Sequence, residues 1–71
     1  MTKRDAFIKE FRSLIGNPYL NIDCNDADCF IDYGTLSDVK DQKALKALIT
    51  AHHFNEADKG VVVWFGANEE V

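Results

Sequence analysis

The sequence predicts an α+β domain of order α-β-β-α-β, with two helices packed on one face of a three-stranded sheet. Three observations carry this. Phe7, Phe11, Leu14 and Ile15 recur at helical spacing near the N-terminus. Residues between Leu20 and Tyr33 alternate with period two on either side of an Asn/Asp-rich turn. Val61 to Phe65 is a short apolar run bracketed by Gly60 and Gly66 and rich in β-formers.

The first helix has a start and a stop. Thr2 is suited to the N-cap, and Asp5 stands three residues on, where an acid reaches back in a capping box. Ile8 widens the apolar stripe, and Lys9 follows Asp5 by one helical turn. Gly16 suits the left-handed position after the last turn, and Asn17-Pro18 cannot continue a helix.

The hairpin comes next. Leu20, Ile22 and Cys24, then Cys29, Ile31 and Tyr33, are expected to line the core. Asn21, Asp23, Phe30 and Asp32 then face away, with residues 25–28 as the turn. Gly34 ends the second strand. The second helix is capped by Ser37 or Asp38, or one turn later by Asp41. Its stripe is Leu45, Leu48, Ile49 and His52, and Lys40, Lys43 and Lys46 fall off that stripe as a solvated face. Residues 55–59 read as a polar loop. A right-handed crossover through the second helix sets the last strand parallel to the second, giving sheet order 2-1-3. The alternative adds the last strand to the other side of the hairpin. Residues 67–71 read as a flexible acidic tail on a single domain spanning 1–71.

Charge is sorted along the chain. From Ser13 to Val39 there is no lysine or arginine, yet there are five aspartates: Asp23, Asp26, Asp28, Asp32 and Asp38. The net charge of the 71-residue chain is −4. That sign disfavours direct contact with nucleic acid or an anionic membrane and suits a partner protein with a basic surface. No apolar leader region and no membrane-length apolar run occur in the sequence, so a cytoplasmic location is expected. There Cys24 and Cys29 stay reduced and act as small buried hydrophobes. A redox-sensitive pair and a metal site are the alternatives. The C-x4-C spacing fits no zinc pattern, and neighbouring His52 and His53 diverge by about 100° on a helix.

Candidate chemistry is sparse. The four glycines are isolated, so no phosphate loop is present. No nucleophile elbow or calcium-loop pattern occurs. The expectation is a protein that is not an enzyme and uses no cofactor or metal. His52 is expected near a helix C-terminus, where the dipole favours its charged form.

The far face of the sheet carries the functional expectation. If Val61, Val63 and Phe65 point at the helices, Val62 and Trp64 join Phe30 on the open side. The result is an aromatic patch rimmed by carboxylates, with Asp23, Asp26, Asp28, Phe30, Asp32 and Trp64 as binding residues. The competing reading buries Trp64 in the core. The expected function is a small acidic protein-binding module that docks on a larger protein and inhibits or modulates it. In size and acidity the chain is similar to small phage and plasmid inhibitors of host defence, anti-CRISPR proteins among them, a likeness of composition that covers no motif. Two other functions fit the same features. One is a nucleic-acid mimic that presents all five aspartates on one surface. The other is a homodimeric structural subunit joined through the last strand.

Overall fold

A computed structural model describes residues 1–66, and the expected tail at 67–71 lies outside the described residues. The elements are α1 (Lys3–Ile15), β1 (Asp23–Cys24), β2 (Asp28–Asp32), α2 (Tyr33–Ser37), α3 (Gln42–Thr50), β3 (His53–Glu56) and β4 (Gly60–Trp64). The class is α+β, as the sequence predicts. The sheet has four strands rather than three, in order β1-β2-β4-β3, and every neighbouring pair is antiparallel.

The topology differs from the expected 2-1-3 for a definable reason. The helical crossover does not lead to the last strand. It leads to β3, which runs parallel to β2 because both are antiparallel to β4. The crossover leaves a gap one strand wide, and β4 hairpins back into it, a split βαβ arrangement. Residues 53–56 show no apolar alternation and are exposed throughout, so hydrophobic periodicity is blind to this strand. Its backbone pairing with β4 makes it one. The last strand consequently has a neighbour on each side, and the expected dimer through its edge has no edge to use.

α1 forms as expected. Thr2 Oγ1 accepts from Asp5 N at 3.1 Å. At the other end Gly16 adopts φ 73°, and Asn17 N and Gly16 N donate to Arg12 O and Ser13 O. These are the paired bonds of a Schellman cap, which needs a left-handed residue that glycine supplies without strain. The expected first strand is cut to two residues. Upstream of it, Arg12 Nε donates to Leu20 O at 2.9 Å. Leu20 and Ile22 still pack half-buried against the core.

The expected second helix is two helices. Asp32 caps α2, accepting from Thr35 N at 3.1 Å. Asp41, the later of the expected caps, accepts from Ala44 N at 3.0 Å and starts α3. Tyr33 begins α2 instead of lining the core. It stays exposed and donates its hydroxyl to Ala57 O at 2.7 Å, bracing the β3–β4 turn.

The core lies between the helices and one face of the sheet. Phe7 and Phe11 from α1, Leu36, Val39, Leu45 and Ile49 from the α2–α3 segment, Cys29, Ile31, Val61 and Val63 from the sheet, and Phe65 just after β4 form one buried cluster. Cys29 and Ile31 alternate inward on β2, as Val61 and Val63 do on β4, so the opposite alternation faces away.

Candidate functional site

The open face of the sheet is built by register. One row across the strands reads Asp28, Trp64, His53. The next reads Asp23, Phe30, Val62, Asn55. The third pairs Asp32 with Gly60. Opposed residues in a sheet share a face, and neighbouring strands lie about 4.8 Å apart. The face therefore has an apolar centre of Phe30, Val62 and Trp64. Asp23, Asp28 and Asp32 stand along its β1–β2 side.

Gly60 makes that centre flat. A Cβ at this position would come within 2.8 Å of Phe30 Cζ and 2.7 Å of Asp32 Cα, so the Phe30 ring lies over bare backbone. Trp64 is 39% exposed, which places its indole partly in solvent and not in the closed core. With the Asn55 amide oriented to satisfy both of its ends, its oxygen accepts from Trp64 Nε1 at 3.2 Å. The indole is thereby satisfied and held while its ring remains available, and held aromatics lose little freedom on binding.

The aspartates are not equivalent. Asp23 is exposed and Asp28 half-buried on the open face. Asp32 Oδ1 accepts from Thr35 Oγ1 at 2.6 Å and Oδ2 from Thr35 N. The Thr35 hydroxyl and then its N–H hold the Asp32 carboxyl below its ordinary value, so it stays ionised into mild acid. Asp26 sits at the hairpin tip, 3.6 Å from Arg4 Nη1, which also donates to Asn25 O at 2.8 Å. The protein's own cation thus partly answers this charge. Asp38 closes α2 in the helical layer. The five aspartates are therefore split between the sheet face, the hairpin tip and the helices. A mimic that needs all of them on one surface does not have them there.

The cysteines correct an expectation. Cys24 and Cys29 face each other across β1 and β2, with Cα atoms 4.0 Å apart, and are joined as a disulfide. Asn25 N donates to Asp28 O on one side of this pair, which makes Cys24–Cys29 the next, close-approach pair of the ladder. The reduced state followed from an assumed compartment; the pairing geometry brings the sulfurs together regardless. Among the described residues no three His, Cys, Asp or Glu side chains converge as a metal site. His52 packs edge-on against Phe7 and Phe65 with centroids 5.7 and 5.1 Å away. That burial, and then the Lys3 charge, push it below its ordinary value of 6.5, opposite to the dipole expectation.

One further surface escaped the sequence. Tyr33, Leu36, Leu45, Ile49, Phe54 and Val61 line a groove of about 370 Å³ between β3 and the helices. Phe54 and Glu56 of β3 form one wall of it, and β3 carries no hydrophobic alternation in the sequence. No described helix is long and apolar enough to cross a membrane. Compared with protein-family models, curated proteins and solved structures, the chain finds no match.

Proposed function

We propose that this protein is a small acidic binding module whose open sheet face docks on a basic surface of a larger protein and thereby inhibits or modulates it. The observation that supports this reading best is the register. Phe30, Val62 and Trp64 stand together on a face that the helices leave bare, with Asp23, Asp28 and Asp32 beside them. Exposed aromatics of this kind act as anchors once desolvated, and carboxylates beside them steer encounter and reject acidic surfaces. Asp23 and Asp28 are the main steering charges in this account. Asp26 is a lesser one because Arg4 sits beside it.

The test is affinity capture on immobilised wild type and on a Phe30→Ala/Trp64→Ala variant, repeated with Asp28→Asn over a salt series. The reading expects a partner that the aromatic variant no longer retains, although circular dichroism shows that variant folded. It expects Asp28→Asn to weaken retention most at low salt, since screening removes the steering term. Retention unchanged by all three substitutions would overturn the reading.

A further inference from the structure

We propose that the Cys24–Cys29 disulfide is a reducible clasp: reduction by a dithiol frees β1 from the sheet edge and leaves the rest of the domain folded. The ladder between β1 and β2 has two register pairs, Asp23 with Phe30 and Cys24 with Cys29, and the bond lies across one of them. A two-residue ladder holds poorly by itself. At the turn Asn25 N donates to Asp28 O, Asn25 Oδ1 accepts from Ala27 N and Asp28 N, and Arg4 lies 3.6 Å from Asp26, contacts that hold the tip more than the strand. Arg12 Nε donates to Leu20 O at 2.9 Å, Arg4 Nη1 donates to Asn25 O at 2.8 Å, and Leu20 and Ile22 are only half-buried. β2, by contrast, is paired with β4 over five register positions on its other side. Its inward residues Cys29 and Ile31 belong to the main core. Opening β1 therefore leaves β2, β4 and β3 and their helical cover in place.

The two sulfurs differ in access. Cys29 is 0% exposed, whereas Cys24 is half-buried at the sheet edge. A dithiol thiolate attacks Sγ of Cys24, forming a mixed disulfide and breaking the Cys24–Cys29 bond. Cys29 leaves as a thiolate and takes a proton. The second thiolate of the reagent then attacks its own sulfur in the mixed disulfide, expels Cys24 as a thiolate that is protonated, and closes the reagent's cyclic disulfide. Two electrons and two protons pass from the dithiol to the cysteine pair. The result converts ambient thiol poise into order or disorder of the strand that carries Asp23.

The experiment is hydrogen exchange read by mass spectrometry on the full chain, with and without dithiothreitol, beside a Cys24→Ala variant. Reduction adds two hydrogens to the intact mass. Amides between Leu20 and Asn25 then exchange on the order of tenfold faster or more. Those of β2 and β4 keep their protection, and Cys24→Ala shows the same pattern without reagent. Unchanged exchange in residues 20–25 after reduction would overturn the proposal, since the ladder then holds without the bond. Global loss of protection on reduction and in Cys24→Ala would overturn it too, since the bond would then hold the whole fold.

Discussion

Replacing Trp64 with alanine measures how much of the indole the protein itself covers. A fully buried Trp→Ala change costs about 3–5 kcal/mol, part of it for the cavity left behind. Trp64 is 39% exposed, so roughly three-fifths of it is covered, and scaling gives a loss of about 2–3 kcal/mol. Among the described residues nothing closes over the open face to leave a sealed cavity, so the lower end is expected. At about 0.05–0.15 kcal/mol per residue, a 71-residue domain has roughly 4–11 kcal/mol in hand and stays folded. Urea denaturation of Trp64→Ala beside Phe7→Ala makes the comparison. Phe7 is 1% exposed in the centre of the core, and its removal should cost the full amount. Acrylamide quenching of the tryptophan emission gives an independent reading, because the chain has one tryptophan. Equal losses for the two variants, with fluorescence shielded from quencher, would refute the assignment of Trp64 to an open face.

Other substitutions probe the scaffold and its charges. Gly60→Ala should lose more than about 3 kcal/mol in urea denaturation, because the new methyl meets Asp32 Cα and the Phe30 ring with no room to shift. A loss under about 1 kcal/mol would show that the β2 backbone at Ile31 O and Asp32 Cα does not approach Gly60 this closely. His52 has its folded-state value lowered, so its stabilising contribution is complete above 6.5 and is lost as pH falls from there through the lowered folded-state value. Melting temperature should therefore drop between pH 7 and 5.5, and the slope should shrink in His52→Gln; an identical slope would exclude His52 as its source. Asp41→Ala should cost about 1 kcal/mol by removing the cap of α3, measured against Asp38→Ala as an exposed control. Two equal small losses would mean that the Asp41 cap contributes nothing measurable.

The far face was legible where burial imposes alternation. Phe30 and Asp32 on β2, and Val62 and Trp64 on β4, face out because Ile31, Val61 and Val63 face in. α1 was legible because its cap residues and its apolar stripe agree. β3 was not, because a strand exposed on both faces and paired on one edge leaves no hydrophobic trace. The sheet order follows from it, because the crossover leads to β3 and not to the last strand. The shortness of β1 was not legible either, because Leu20 and Ile22 continue its alternation and pack against the core without pairing with β2. Asp32 is both an exposed charge on the open face and the cap of α2, two roles that one residue type serves equally well. The cysteine spacing did locate the pair across the turn, but the bond itself follows from cross-strand register.

The proposed docking surface is the open sheet face. Hydroxyl-radical footprinting of the affinity-purified complex, read residue by residue, tests it. Oxidation of Trp64 and Phe30 should fall sharply on binding, while Tyr19, 91% exposed far along the chain, and Phe54 in the β3 groove react as they do in the free protein. Protection of Phe54 and Tyr33 with Trp64 unchanged would contradict the account and move the docking surface to the groove.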